Sequence, residues 1–360
     1  MDYRAIELLI LQLEEAFSKS RSNVYSDTNK EFHFRELYDV FNSIKQSDFK
    51  NFDQNNLEQH FTILDFIFKG LEYLDSSTLN VIPYEIISCL KYSLEDWIQK
   101  DNLIIVTSLS NNNKDFYFDS YYNLELFKNI NDYLRKIYKL EIKYRLIRIS
   151  LPKVLSRDYL SMVVLYHELG HFIDRELNIS VKSTYDKFGV KTQYSEAEIM
   201  YFNHESEYFA DLFASQYIND SVMTYLGYIA SNNGDSQTHP STVKRHKVVN
   251  DFLNMTSCIE KNNFNNILSS SNITNLSIRH KKIDLNSSNF PNLIPELLNN
   301  EQELHYIFKL GWDFWENSNN NFLKDFEPRQ KYQIINNLIE KSISNFTNTK
   351  RWLEVSTSIN

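Results

Sequence analysis

Apolar residues recur at spacings of three and four along the first hundred residues, which is the period of an amphipathic helix. The first such stripe consists of Ile6, Leu9, Ile10 and Leu13. Two more stripes consist of Leu57, Phe61, Leu64, Ile67 and Phe68, and of Ile86, Leu90, Leu94 and Trp97. The pattern predicts a bundle of helices, and no side chain in it indicates chemistry.

The period of the pattern changes after residue 102. Residues 103–106 and 116–118 are rich in β-branched and aromatic side chains, and three asparagines at 111–113 separate them, so a β-hairpin is predicted here. A helix is predicted at residues 123–138, followed by a short alternating strand at residues 144–149. The chain is therefore expected to be mainly α with a small β-sheet, an α+β fold.

The second half of the chain contains the clearest helix signals. One helix is predicted at residues 156–176, and Ser195 with Glu198 forms a capping-box pattern that opens another helix reaching about residue 217. The polar segment between them, residues 178–193, is predicted to be a loop or a lid. Two further helices are predicted at residues 295–315 and 328–345. The helices on either side of the polar segment carry the candidate chemistry.

The segment His167-Glu168-Leu169-Gly170-His171 has the pattern H-E-x-x-H. Residues four apart on a helix project from the same face, so both imidazoles can bind one zinc ion. Glu168 lies about 100° around the helix from His167, where it can take a proton from a water molecule on the metal. The opposite face is apolar and consists of Met162, Leu165, Leu169 and Phe172. An ordinary helix with exposed His and Glu side chains is the alternative interpretation.

A catalytic zinc ion needs a third protein ligand and an open position for water. Glu207 and Asp211 lie four apart on one face of the next predicted helix, together with Ala210 and Ala214. The small alanine side chains would let this helix approach the first one closely. Glu207 is therefore predicted to be the third ligand. Asp211 is predicted to accept a hydrogen bond from a ligand imidazole, that of His167.

Two neighbouring residues are alternatives to Glu207 as the third ligand. Glu205 offers another carboxylate, and His204 would give a three-histidine site but lies on a different face from Asp211. For the segment as a whole, a solvated acidic stripe is the alternative interpretation. The metzincin class of zinc peptidases is excluded, because its motif requires Gly and His where this chain has Asp174 and Leu177.

The two patterns H-E-L-G-H and E-x-x-A-D-x-F-A, within residues 165–214, resemble the gluzincin zinc peptidases, of which thermolysin is the best-known member. In that clan, E-x-x-x-D supplies the third ligand and the partner of the first histidine. The resemblance implies these roles for Glu207 and Asp211, within a zincin-like catalytic core. In gluzincins an edge strand before the H-E-x-x-H helix pairs with the extended peptide substrate. Residues 144–149 occupy that place here, and an ordinary sheet strand is the alternative.

The segment Thr238-His239-Pro240-Ser241, followed by Arg245, is similar to the T-H-P-x-x-x-x-R segment of gluzincins related to the CAAX prenyl proteases. Pro240 suits the first position of a helix, with His239 near its cap. The resemblance implies that His239 or Arg245 could stabilise the oxyanion of the tetrahedral intermediate. A capped surface helix with an incidental His and Arg is the alternative. The membrane enzymes of that group have transmembrane helices that this chain lacks, which argues against a prenylated membrane substrate.

The chain has 360 residues, a net charge of −9 and two cysteines. The acidic balance argues against a nucleic-acid partner. Two cysteines are too few for a disulfide framework and fit a reducing compartment. No apolar stretch of about 18 residues occurs, so no membrane insertion is expected and the cytoplasm is the predicted location. Three regions are predicted: a helical region at 1–100, a metallopeptidase core at 101–260 and a helical region at 261–360.

Together these patterns predict a zinc metallopeptidase that hydrolyses a peptide or protein substrate. Zn²⁺ is expected on His167, His171 and Glu207, with Glu168 as the general base. One alternative is a non-catalytic zinc-binding protein with a regulatory or interaction role. Another is a toxin or defence protease with one specific intracellular target. The sequence defines neither the substrate nor the oligomeric state.

Overall fold

The computed structural model describes residues 2–25, 27–78, 84–98, 102–110, 117–119, 124–317 and 323–358. The chain forms two compact units, of which the first comprises residues 1–84 and 100–156, and the second residues 85–99 and 157–360. This division differs from the three predicted regions. The strands belong to the unit of the N-terminal helices, and the C-terminal helices belong to the unit of the H-E-x-x-H segment.

In chain order, the helices of the described residues are α1 (Tyr3–Ser20), α2 (Thr28–Lys45), α3 (Gln54–Ser76), α4 (Tyr84–Glu95), α5 (Leu124–Ile137), α6 (Val164–Leu177), α7 (Ile179–Phe188), α8 (Glu196–Ile218), α9 (Ser221–Ala230), α10 (Thr242–Leu253), α11 (Ile259–Ser270), α12 (Glu301–Asn317) and α13 (Pro328–Ser358). The strands are β1 (Leu103–Ser110), β2 (Tyr117–Asp119) and β3 (Arg145–Pro152). The prediction of a mainly helical protein with a small sheet is confirmed.

The first unit packs α1, α2 and α3 with β1 and β3 around one hydrophobic core. The predicted stripe of α1 faces this core, since Ile6, Ile10 and Leu13 are buried. The three helices each begin at an aspartate whose side chain accepts a backbone amide, namely Asp2, Asp27 and Asp53. Such caps satisfy amide groups that have no partner within the helix.

The sheet differs from the predicted hairpin. Its strand order is β1-β3-β2, with β1 parallel and β2 antiparallel to β3, so β1 and β2 are not neighbours. The asparagines at 111–113 lie outside the described residues. The interpretation of residues 144–149 as an edge strand is wrong, because β3 is the central strand. All but one of its residues are buried, which indicates that both faces of this strand are covered.

The helix that carries the H-E-x-x-H segment begins later than predicted. Residues 153–155 form a short 3-10 helix, and α6 starts only at Val164. The polar segment at 178–193 is not simply a loop, because it contains α7. Asn178 separates α6 from α7 with a left-handed backbone, a conformation that Asn adopts more readily than most residues. The predicted capping box of Ser195 and Glu198 is confirmed at the start of α8.

The motif helix and the predicted third-ligand helix, α6 and α8, pack directly against each other. Their closest approach is at Gly170, where an added Cβ would lie 2.8 Å from the Cα of Ala210 and 3.1 Å from its carbonyl oxygen. Only a glycine facing a small residue allows this separation of the helix axes. The small side chains therefore set the distance across which α6 and α8 present their polar residues to each other.

Gly170→Ala is expected to lower the free energy of unfolding by about 1–3 kcal/mol, because the new methyl group would overlap the backbone of α8. Urea unfolding measures the effect. Gly227→Ala is the matched control, since Gly227 lies in α9 with open space around its Cβ position. That control should raise the stability by about 0.5–1 kcal/mol through helix propensity. Equal effects of both variants would contradict the close helix contact.

None of the described helices combines the length and the apolar character needed to cross a membrane.

Candidate metal centre

Three side chains from α6 and α8 converge on one point. His167 and His171 lie one turn apart on α6, with ring centroids 4.6 Å apart and ring planes nearly perpendicular. Glu207 reaches them from α8: its Oε2 lies 3.4 Å from His167 Nε2, and its Oε1 lies 3.3 Å from His171 Nε2. Ligand atoms of the three residues all lie within 4.8 Å of one another. Both imidazoles thus present the same nitrogen, Nε2, to one carboxylate.

The donor set fits a divalent transition metal. Two ligand atoms on one tetrahedral zinc ion, each at about 2.0–2.1 Å from it, lie about 3.3–3.4 Å apart. The two separations between Glu207 and the imidazoles have this length, and they end on different carboxylate oxygens, Oε2 for His167 and Oε1 for His171. Glu207 Oε2 is also buried, and neither Arg245 Nη1 at 3.3 Å nor His167 Nε2 at 3.4 Å makes a hydrogen bond of good geometry with it. A buried carboxylate oxygen is costly when its contacts are poorly aligned, and a metal ion would supply a closer partner.

Asp211 lies behind His167, as the E-x-x-x-D spacing predicts. Its Oδ1 is 2.9 Å from His167 Nδ1, and the carboxylate is fully buried. The contact does not meet the geometry of a hydrogen bond and is an ion pair when His167 is protonated. Burial alone would raise the pKa of Asp211, but the Arg245 guanidinium and His167 hold it below its ordinary value. Asp211 therefore supplies a negative charge directly behind His167.

Arg245 projects from α10 into the same buried cluster. Its Nε and Nη2 donate to the two oxygens of Asp211, each at 2.7 Å, and its Nη1 lies 3.3 Å from Glu207 Oε2. Burial disfavours the charged form, yet the Asp211 and Glu207 carboxylates raise the pKa of Arg245. The guanidinium thus contacts both Glu207, a predicted ligand, and Asp211, which lies behind His167. The oxyanion role predicted for Arg245 requires its donors to face the substrate instead.

His239 lies on the open side of the cluster. Its side chain is 57% exposed, and its Nε2 is 3.5 Å from Glu207 Oε1. Its other nitrogen, Nδ1, lies 2.8 Å from Thr238 Oγ1. The predicted helix start at Pro240 is wrong by two residues, because Ser241 caps α10 and the helix begins at Thr242. His239 therefore belongs to the loop before α10, where it can meet a ligand arriving from solvent.

Glu168, the predicted general base, follows His167 on α6 and is partly buried. Burial raises the pKa of its carboxyl, and the neighbouring histidines oppose this effect without cancelling it. A raised pKa brings a carboxylate closer to the range in which it can both accept and return a proton.

The two rival third ligands have other partners. His204 contacts the Ser236 carbonyl oxygen through its Nε2 at 2.8 Å. Glu205 accepts a hydrogen bond of 2.7 Å from Ser183 Oγ. Among the described residues, the His/Cys/Asp/Glu cluster with metal-ligand spacing contains Glu207 and neither of these two.

Sequence reasoning missed a pair of residues on the far side of His171. The Nδ1 of His171 is 3.2 Å from Ser206 Oγ, and that hydroxyl donates to Asp174 Oδ2 at 2.8 Å. The available signals were positional, because Ser206 directly precedes Glu207 and Asp174 lies three residues after His171. In the sequence, Asp174 is informative only against the metzincin class.

The carboxylates of Asp211 and Glu207 favour a proton on His167, in addition to the positive charge of Arg245. Burial lowers the pKa of His167, but Asp211 and Glu207 outweigh this effect and raise it to about 10. The histidines in turn hold the pKa of Glu207 well below its ordinary value, although burial acts in the opposite direction. A metal ion at Nε2 would displace this proton and would also place positive charge next to the carboxylates.

Metal binding is therefore expected to release a proton from His167, and the apparent affinity for zinc should rise about tenfold per pH unit between about pH 7 and 8.5. The sign follows because the proton and the metal compete for Nε2 below the pKa of about 10. An ordinary histidine is already neutral in that interval. Competition with a chromophoric chelator measures the slope, and an affinity that does not change with pH would contradict the expectation.

Comparisons of the chain with models of protein families, with curated proteins and with solved structures found no match in any of the three. The functional assignment therefore depends on the chemistry of the site itself.

Proposed function

We propose that this chain is a zinc-dependent metallopeptidase of the gluzincin type, with a zincin-like core built on α6 and α8. The observation that carries the proposal is the convergence of His167, His171 and Glu207, with Glu168 next to the first ligand in the sequence. Two imidazoles one helical turn apart and a carboxylate from a second helix leave a fourth position open for a substrate or water. The substrate class is a peptide or protein.

Zinc is the metal we propose because the donor set is two imidazole nitrogens and one carboxylate. This mixture is typical of catalytic zinc sites, whereas Mg²⁺ and Ca²⁺ prefer oxygen ligands alone. When bound, zinc would supply Lewis acidity to a peptide carbonyl and to a water molecule.

The residues of the chain then have separate roles in hydrolysis. Glu168 accepts a proton from the attacking water and returns it to the leaving amine. Its position directly after His167 on α6 supports this role. His239 donates from its exposed imidazole to the oxygen that becomes negatively charged, and its place on the open side of Glu207 supports this role.

Arg245 is proposed to orient the site rather than to contact the oxyanion. Two of its nitrogens are engaged with Asp211, and a third lies near Glu207. Through these contacts it fixes the carboxylate behind His167 and balances the negative charge of the cluster. Contacts of this kind hold the ligand imidazole in one orientation.

The proposal is tested by comparing protein termini in cells that express the wild-type chain and the Glu168→Gln variant. New termini that appear only with the wild-type chain would support a peptidase and would identify its substrates. A peptidase with one target would produce few sites, and a broad peptidase would produce many. Identical termini in both cultures, together with stoichiometric zinc in both proteins, would contradict the proposal and favour a non-catalytic metal-binding protein.

A further inference from the structure

The two histidines of the site are supported in different ways. His167 has a charged neighbour at its Nδ1, the carboxylate of Asp211. His171 has a hydroxyl at the same position, that of Ser206, at 3.2 Å. A hydroxyl can either donate or accept, so by itself it would not define which nitrogen of His171 carries the proton.

The second contact of Ser206 removes this ambiguity. Its single hydroxyl hydrogen is donated to Asp174 Oδ2 at 2.8 Å. The oxygen can then only accept from His171, which requires the hydrogen of the imidazole to be on Nδ1. The Nε2 of His171 is left with a free lone pair on the side of Glu207, 3.3 Å from its Oε1.

Asp174 is held in place as an acceptor. It is buried on α6, and its Oδ1 accepts the backbone amide of Ser180 at 2.8 Å. The Ser180 hydroxyl also donates to its Oδ2. These donors fix the carboxylate at the junction of α6 and α7, so its direction toward Ser206 is determined by the fold.

We propose that Ser206 and Asp174 are positioning residues that hold His171 as the Nδ1–H tautomer, with Nε2 directed at the metal. The proposal rests on the metal site of the proposed function and extends it to a relay from carboxylate to hydroxyl to imidazole. Residues of this kind fix the orientation of a ligand and raise its basicity. The two histidines thus differ. Asp211 contacts His167 directly, whereas the Ser206 hydroxyl lies between Asp174 and His171.

Zinc affinity is the direct test, measured without substrate by competition with a chromophoric chelator. Ser206→Ala is expected to weaken zinc binding by about 10- to 100-fold, the usual effect of removing such a partner. Ser206→Thr keeps a hydroxyl, so its zinc affinity should lie within about threefold of wild type. Ser206→Val has the shape of the Thr variant but no hydroxyl, so it should bind zinc as weakly as Ser206→Ala. The absorption spectrum of the cobalt-substituted protein should shift in the Ala and Val variants and stay unchanged in the Thr variant.

Two controls separate this role from a general effect on folding. Ser215→Ala removes another buried hydroxyl from α8, one without a hydrogen-bond partner among the described residues, and should leave zinc affinity unchanged. Asp174→Asn should weaken zinc binding more than Ser180→Ala does, because Ser180→Ala leaves the Ser180 amide on Asp174 and the contact between Asp174 and Ser206 in place.

Zinc binding by Ser206→Ala that equals wild type would overturn the relay. Equal weakening by Thr and Val would overturn it too, since only the hydroxyl distinguishes these two side chains. Failure of the peptidase proposal would appear elsewhere, in the comparison of wild type with Glu168→Gln. The two failures are therefore distinguishable.

Discussion

Glu168→Gln is expected to retain zinc and to lose about 10²- to 10⁴-fold in kcat, the range that general acid–base catalysis supplies. The amide has nearly the shape of the carboxylate but cannot accept the proton of the attacking water. Because Glu168 is not among the three converging residues, the metal site should remain intact. Zinc content and kcat, measured on a peptide cleaved by the wild-type chain, report the two effects separately.

Glu176→Gln is the matched control for this variant, since it removes a carboxylate from the same helix about two turns further on. Its kcat should stay within about twofold of wild type, as expected when no group of the reaction is removed. Full activity of Glu168→Gln would defeat the assignment of the base. Loss of zinc in Glu168→Gln would show that this carboxylate takes part in binding the metal.

The residues that α6 and α8 contribute to the site could be predicted because they follow short, local spacings in the sequence. A spacing of four puts His167 and His171 on one face, and the same spacing relates Glu207 to Asp211. Gly170 and Ala210 are small where the two helices meet, and their sizes can be identified in the sequence. The capping box at Ser195 needs only a residue three positions further on. In each case the relevant contact is within one helix or follows from a single helix crossing.

The contacts that were missed join residues that no recognised motif spacing relates to each other. Asp174 and Ser206 are 32 residues apart, and Arg245 and Asp211 are 34 apart. Such pairs depend on the rotation of one helix relative to another, which the hydrophobic period fixes only approximately. The motif position of Arg245 implied a contact with substrate. Its partners are instead determined by its burial, which is a property of the packed structure.

The sheet illustrates the same limit. A strand, a helix and another strand in succession, here β1, α5 and β3, are typical of a parallel pair with a helical crossover. That signal was present, but the asparagines at 111–113 favoured a local hairpin instead. The alternating polarity of residues 144–149 indicates which side chains share a face of the strand, but it does not identify the strands on either side. The central position of β3 therefore required the three-dimensional structure.

Arg245→Leu is expected to lower the free energy of unfolding of the metal-free protein by about 3–5 kcal/mol, because breaking a buried ion pair leaves its partner uncompensated. The partner is Asp211, which is fully buried and accepts two hydrogen bonds from the guanidinium. Urea unfolding in the presence of a chelator measures this cost. With zinc bound, the cost should be smaller, since the ion restores positive charge next to the carboxylates.

Lys244→Leu is the control, because the adjacent lysine on α10 is exposed and pairs with Asp235 at the surface. Its effect should stay below about 1 kcal/mol, as is usual for exposed ion pairs. An Arg245→Leu variant with wild-type stability but greatly reduced kcat would contradict the orienting role. It would instead favour the oxyanion contact that the T-H-P-x-x-x-x-R resemblance implies. The stability of Arg245→Leu thus distinguishes an arginine that orients Asp211 from one that contacts the oxyanion.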